Sequence, residues 1–344
     1  MNQLKFNVVP RILHFKQPAG TSRGIYTIRK VWYIECYNID NPEVKGIGEC
    51  APLPQLSCDD YPNYGEILVK YCRIAEANNG YIDKEILRNF PSIQFGIETA
   101  LRSLKMQSTT LWDTPFSRGE KGIQINGLIW MGTHDEMLRR IDEKLEAGFR
   151  CIKIKIGAIN FDEELSLLKY VRQHYSSKEL ELRVDANCAF SSEEVIDKLN
   201  QLAEFDLHSV EQPVMAHQWD EMRRICDESP VPIALDEDLI GLNTFDEKET
   251  MLHVIRPKYI VIKPSLHGGI CGAEEWIKEA EKRDIGWWIT SALESNIGLN
   301  AIAQWCATFN NPLPQGLGTG MLYTDNIDMP LEIRKDSLWF NPAK

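Results

Sequence analysis

What most restricts the fold of this chain is a row of charged residues set inside otherwise apolar, β-branched runs. They are Lys153 and Lys155 in CIKIKIG, Asp185 in LRVDAN, Glu211 in SVEQP, Asp236 in IALDED and Lys263 in YIVIKPS. From Lys155 onward, successive members lie 25 to 30 residues apart. That interval holds one strand and one helix, so each charge takes the equivalent place on the next strand. Runs at 123–131, 151–157, 180–188, 208–213, 233–239, 259–265, 287–293 and 315–320 read as strands, and amphipathic stretches such as 136–147 and 193–204 read as helices between them. Eight strands with seven helices predict an α/β architecture, a (β/α)7β TIM-like barrel over residues 119–320. An open doubly wound sheet is the alternative, but no glycine-rich first turn for a dinucleotide accompanies it.

Residues 1–118 read instead as an α+β lobe. A strand is expected at 26–37 with a turn at Asn41-Pro42, then helices at 65–76 and 92–104, the second capped by Ser92 just after Pro91. No low-complexity linker separates lobe from barrel, so the two are expected to pack tightly, with residues 321–344 or so returning to the lobe.

In such a barrel the C-terminal rim gathers side chains from different strands onto one site. Asp185, Glu211 and Asp236 aimed at one point are unfavourable until a cation sits between them. With no His or Cys beside them, the donors form a hard, all-oxygen set that suits Mg²⁺, with Mn²⁺ as a substitute, and disfavours zinc. Lys155 and Lys263 flank this set from opposite sides. Lys153 shares a strand face with Lys155, and a second ammonium lowers the proton affinity of the first. A lysine kept partly neutral can act as a base. The chemistry that needs this arrangement is removal of a proton next to a carboxylate. If the gap to lysine is about ten pK units, roughly 14 kcal/mol must be supplied. A divalent ion on the developing enediolate is the obvious source. Each motif alone has a plainer reading: Lys-x-Lys as a solvated strand edge, V-D-A-N or E-Q-P as a turn. Their joint register carries the inference. Asn187 shares a face with Asp185 and is a candidate to hydrogen-bond a metal ligand or the substrate.

Other functions are disfavoured. Asp and Glu number 50 against 38 Lys and Arg, a net charge of −12, which leaves no basic surface for phosphates and argues against nucleic acid. The nine cysteines are scattered without a C-x-x-C pair and read as reduced thiols of a cytoplasmic protein. The opening MNQLKFNVVPRILHF is interrupted by Lys5, Asn7, Pro10 and Arg11, so neither a signal peptide nor a membrane span is expected. The expected partner is a small-molecule carboxylate. The histidines do not pair at ligand spacing; His208, Trp287 and Trp288 read as packing residues.

The order K-x-K, D, E, D-E, K resembles the enolase superfamily, specifically its muconate-lactonising subgroup, over nearly the whole chain. The resemblance implies Lys155 as the acid/base, Asp185, Glu211 and Asp236 as Mg²⁺ ligands, and Lys263 as the opposing cation. It makes the first lobe a capping domain whose loops at 20–23 (GTSR, with Ser22 and Arg23) and 48–54 (GECAPLP) close over substrate. INGLIWM at 125–131, SALESNIGL at 291–299 and GLGTG at 316–320 resemble the branch that dehydrates 2-succinyl-6-hydroxy-2,4-cyclohexadiene-1-carboxylate in menaquinone biosynthesis. Dipeptide epimerases carry Asp-x-Asp at the end of the eighth strand, where this chain has Gly318-Thr319-Gly320; Asp236-Glu237-Asp238 lies on the fifth strand. Backbone amides around Gly268-Gly269 and from Ser291 through Glu294 to Ser295 are candidates to receive a substrate carboxylate. A rival on the same scaffold is racemisation of an N-acylamino acid or epimerisation of a dipeptide, with Lys155 and Lys263 as bases on opposite faces. A catalytically silent binding barrel is the distant rival, but it has no physical reason to keep five converging charges.

Overall fold

The computed structural model describes residues 3–21 and 24–343. Strands β1 (Leu4–Thr21), β2 (Gly24–Asn38) and β3 (Asn41–Cys50) form an antiparallel sheet in that order, followed by helices α1 (Tyr64–Ala77), α2 (Lys84–Leu87) and α3 (Pro91–Met106). Alternation along β2 buries both of its faces. Ile34 and Cys36 pack with Tyr64, Leu68, Ile93 and Ile97 of the helices, while Val31 and Tyr33 meet Ile297 and Tyr323 from the far end of the chain. Helix α3 lies tight on β3 because two glycines leave room: a Cβ on Gly48 would stand 2.1 Å from the carbonyl oxygen of Gly96.

Two local expectations are corrected. The chain turns at residues 39–40, and Asn41 and Pro42 already belong to β3, an edge strand on which the missing N–H of proline is tolerated. Ser92 is not the cap of α3, which begins at Pro91. The Ser92 N–H and hydroxyl both donate to Asp59 Oδ2, at 2.9 and 2.6 Å, so a carboxylate from the preceding loop serves the helix N-terminus.

The second unit alternates strand and helix: β4 (Ile123–Gln124), β5 (Gly127–Ile129), α4 (His134–Glu146), β6 (Cys151–Lys155), α5 (Phe161–His174), β7 (Glu181–Asp185), α6 (Val195–Leu202), β8 (Ser209–Glu211), α7 (Trp219–Glu228), β9 (Ile233–Leu235), α8 (Phe245–Ile255), β10 (Tyr259–Ile262), α9 (Gly269–Glu281), β11 (Gly286–Ile289) and α10 (Asn296–Cys306). Strands β5 to β11 form one parallel sheet in sequential order. The eighth stave is only a seam: Gln315 bridges to Ile125 and Gly316 to Thr290, which joins the two outer strands and closes the barrel. The expected run 123–131 is likewise split. Its β4 part pairs with β13 (Ser337–Phe340), which pairs in turn with β12 (Leu331–Arg334). So only part of the expected return to the lobe occurs: Leu322, Tyr323, Ile327 and Met329 pack there, whereas Leu338 and Phe340 enter the barrel core.

Period-two alternation sorts the barrel strands. Ile152, Ile154, Leu182, Val184, Val210, Ile233, Leu235, Ile260, Ile262 and Ile289 belong to the large core shared with the helices, each such burial contributing about 1.5–3 kcal/mol. Truncating a fully buried one, as in Ile154→Ala, costs about 2–5 kcal/mol. The alternate positions face the barrel axis. Low in the barrel they form a floor of Ala234, Val261 and Trp288, with the Arg183 guanidinium 4.2 Å from the Trp288 ring and 2.6 Å from Glu181. Trp287 packs outward, as expected of a packing residue, whereas Trp288 points inward and also lines the cavity that holds the charged row. His208 stacks on Tyr259 at 4.6 Å, and burial pushes its pKa down to about 4. Among the described residues no helix is long and apolar enough to cross a membrane, and all nine cysteines are free thiols.

Candidate active site

Strand register sets the site. Lys155 pairs directly with Asp185, and Asp185 with Glu211, so the three stand abreast at the C-terminal ends of β6, β7 and β8. Asp236 and Lys263 come one residue beyond the ends of β9 and β10. All five line one cavity of about 310 Å³, together with Lys153, Asn187 and Glu237. The five strand-end charges thus face one common cavity.

Inside it, lysines and carboxylates neutralise each other. The Lys153 ammonium lies 2.9 Å from Asp185 and 2.7 Å from Glu211. Lys155 donates to Asp185 Oδ2 at 3.0 Å and to Asn187 Oδ1. Lys263 donates to Asp236 Oδ2. Burial alone would push Asp185 up, but Lys153 and Lys155 outweigh it and hold the carboxyl well below its ordinary range. For Lys153 burial works downward and is outweighed by Asp185 and Glu211, so its pKa is raised. Its main part in this arrangement is counter-ion to two carboxylates. Lys263 is raised in the same way, burial being overcome by Asp236 and Glu237.

Among the described residues no three His, Cys, Asp or Glu side chains stand grouped as a finished metal cage, because the ammonium groups fill the spaces between the carboxylates. The donor set nevertheless fits a divalent cation on two counts. Asp185, Glu211 and Asp236 are carboxylates at most 2 % exposed, an all-oxygen set for a hard ion. And Asp236 Oδ1 is buried with no hydrogen-bond partner among the described residues, an arrangement that costs energy unless something positive meets it.

The other expected site residues divide. Asn187 lies in the cavity wall and bridges, accepting from Lys155 and donating to Glu237 Oε1 at 3.3 Å. Ser291 lines the cavity, its hydroxyl 2.6 Å from that of Thr319. Glu294 and Ser295 do not line it. Glu294 accepts from the Ser265 hydroxyl and the Ala292 N–H, while Ser295 donates its N–H at 2.8 Å and its hydroxyl to Glu49 of β3. They hold the rim from behind. Gly268 and Gly269 are not in the cavity wall either. The N-terminus of α9 there is taken by Glu98 of α3, which accepts the Ile270 N–H at 2.6 Å. Ser22 and Arg23 lie outside the described residues. Of the two expected capping loops, Gly20 and Thr21 pair with Ile25 and Gly24 at the end of the β1–β2 hairpin, and Gly48 to Cys50 belong to β3, which leaves Leu53 as the contribution of 48–54 to the cavity.

Several lining residues escaped the sequence. Trp130 stands just past β5, with Lys155 Nζ 6.0 Å from its ring centroid; an aromatic one step beyond a barrel strand was the available signal. Tyr26 and Leu56 come from the lobe, where only tertiary packing places them; Leu53 belongs to the expected capping loop 48–54, and Thr319 to the stretch beyond the seam that departs from the epimerase pattern. His267 is hidden behind Lys263, accepting its backbone N–H at Nδ1 (3.0 Å), and burial pushes its pKa down to about 3.

Residues 136–341 match the protein family described as enolase C-terminal domain-like. An o-succinylbenzoate synthase from Desulfotalea psychrophila is 44% identical over 93% of this chain and 95% of its own length. The crystal structure of MenC from the same bacterium covers 98% of this chain and 99% of its own, with a TM-score of 0.83 at 39% identity. An L-Ala-D/L-amino acid epimerase from Maribacter is 27% identical over 67% of this chain and 64% of its own length. A dipeptide epimerase from Enterococcus faecalis, complexed with Mg and L-Leu-L-Tyr, covers 99% of this chain and 97% of its own with a TM-score of 0.85, at 18% identity, a likeness of fold alone.

Proposed function

We propose, on the premise that this chain belongs to the enolase superfamily and within it to the o-succinylbenzoate synthase family, that Lys155 and Lys263 carry out its dehydration chemistry across the cavity described above. The substrate is 2-succinyl-6-hydroxy-2,4-cyclohexadiene-1-carboxylate and the products are o-succinylbenzoate and water. The observation that carries this reading is the pair of lysines standing on either side of one carboxylate row in one cavity.

Lys155 Nζ, steadied by Asp185 and Asn187, takes the proton on the ring carbon that bears the carboxylate. The C–H electron pair is first held on the substrate carboxylate as an enediolate, and then passes into the ring as the carbon–oxygen bond to the neighbouring hydroxyl breaks. Lys155, now protonated and on the same face, returns a proton to the departing hydroxyl, which leaves as water, and the ring becomes aromatic. Lys263 stays cationic, because Asp236 and Glu237 offset its burial, and stabilises the negative charge that develops on the substrate. Asp185, Glu211 and Asp236 would hold Mg²⁺, or Mn²⁺ in its place, which when bound supplies a Lewis acid for the substrate carboxylate. Trp130, Leu53 and Leu56 exclude water around the ring.

Racemisation of N-acylamino acids or dipeptides would use the same two lysines. Dehydration is favoured by the wall at Gly318 and Thr319, which offers no carboxylate to a substrate ammonium. The test is direct: purified protein with Mg²⁺ converts the cyclohexadiene to o-succinylbenzoate, followed by ultraviolet absorbance, with kcat/KM of about 10⁴–10⁸ M⁻¹s⁻¹. A panel of dipeptides and N-acylamino acids in D₂O is watched in parallel by NMR. Fast α-proton exchange there with negligible dehydration would overturn the reading.

A further inference from the structure

Arg29 of β2 is among the largest fully buried side chains, and its hydrogen bonds go to backbone carbonyls. Its Nη1 donates to Pro52 O at 2.6 Å and its Nη2 to Ala51 O. Across the boundary between lobe and barrel, Nε donates to Leu293 O at 3.3 Å and Nη2 to Ala292 O at 3.4 Å. The four acceptors belong to two irregular segments, which neither a helix nor a sheet ladder satisfies. Both segments are cavity wall. The first leads into Leu53 and Leu56, and the second contains Ser291, Ala292 and Leu293. Leu293 has φ 62°, a left-handed conformation that a leucine adopts only when its surroundings impose it. Its carbonyl also accepts the Tyr323 hydroxyl at 2.7 Å.

We infer that Arg29 is a positioning residue that fixes the lobe wall and the barrel wall of the substrate cavity relative to each other. Only a planar fork of N–H donors reaches carbonyls on both sides at once; an ammonium at one point does not. The residue touches neither the lysines nor the carboxylates, so its loss leaves the chemistry in place and loosens the enclosure. Arg29 therefore governs how tightly the substrate is held more than how fast the held substrate reacts. This rests on the dehydration reading for its substrate, and on geometry alone for its mechanism.

The test compares wild type with Arg29→Lys, Arg29→Met and Tyr323→Phe, the last removing the other donor to the Leu293 carbonyl. KM for the cyclohexadiene should rise about tenfold or more in both Arg29 variants, with kcat changed less than about threefold, and Tyr323→Phe should follow more weakly. Rescue by lysine, or a loss confined to kcat, overturns the proposal. Amide hydrogen exchange is read on the same proteins. Residues 51–57 and 291–295 should speed up together, by about tenfold or more, while β6 to β8 keep wild-type protection. Uniform acceleration, or acceleration of one segment only, marks a merely structural brace and also overturns it. If the Arg29 variants do not fold, Tyr323→Phe decides by both measurements. A wild-type protein that fails to turn over the cyclohexadiene sinks the dehydration reading alone, and hydrogen exchange then decides for Arg29.

Discussion

Glu49 offers a perturbation whose sign and size both follow from its surroundings. It is fully buried where lobe meets barrel, and it accepts from the N–H and hydroxyl of Ser295 and, at 2.8 Å, from the N–H of Gly298. Burial pushes its pKa from 4.5 up to about 7, against the pull of the Ser295 hydrogen bonds and with help from the charge of Glu294. Between these values the folded protein holds the proton more tightly than the unfolded chain. Stability from this group is thus fully present below about pH 4.5, declines as pH rises, and levels off above about pH 7. A gap of about 2.5 pH units at 1.36 kcal/mol each makes the loss roughly 3 kcal/mol. His208 and His267, pushed down to about 4 and about 3 by burial, act in the opposite sense as pH rises toward 6.5, so the wild-type profile alone mixes the two. Glu49→Gln isolates the carboxyl, since the histidines cancel in the difference. The variant should be less stable at pH 5, where its amide nitrogen faces hydrogen-bond donors, and its deficit should shrink by roughly 3 kcal/mol by pH 8. Denaturant unfolding followed by tryptophan fluorescence at both pH values measures this. A deficit constant to within about 0.5 kcal/mol would refute the reasoning.

Three further outcomes are expected. EDTA should abolish turnover and Mg²⁺ or Mn²⁺ restore it, and Asp185→Asn, Glu211→Gln and Asp236→Asn should each be severely impaired; full activity in metal-free protein would exclude the ligand set. Lys155→Ala should fold and lose about 10²–10⁴ or more in kcat, whereas near-normal turnover would mean another base. Lys263→Ala should lose about 10²–10³ in kcat through the missing positive charge, and an unchanged kcat would remove it from the mechanism.

The barrel and its charged row were legible because both depend on period. One strand and one helix per interval put Lys155, Asp185 and Glu211 abreast, and the observed register places them so. The eighth strand was legible only as an apolar run, since nothing in Gln315 to Gly320 distinguishes a full ladder from two single bridges. Ser295, Gly268 and Gly269 looked available because the partners at those helix starts are distant in sequence, whereas Glu294 is engaged by the nearby Ala292 N–H and the Ser265 hydroxyl. Glu49 and Glu98 occupy those helix N-termini from the lobe, and local pattern carries no information about a cap supplied from roughly 170 residues or more away. Leu56 and Tyr26 were missed for the same reason. The pairing of Lys153 with two carboxylates was open to prediction, since strand parity already put them on one face.

The seam that closes the barrel bears on how such a protein can diverge. Lys155, Asp185 and Glu211 sit on continuous ladders where a shifted residue would disturb both neighbouring strands. Gly318, Thr319 and Met321 line the same cavity from a stretch whose strand pairing, among the described residues, is limited to the bridges at Gln315 and Gly316, with the Thr319 hydroxyl against that of Ser291. Substitutions, and even a changed length, can accumulate there without unravelling a stave. A lineage can thus keep its proton-transfer apparatus unaltered and rewrite a few residues of wall to admit a different carboxylate, so that new specificity arises at the one place where the barrel is least finished.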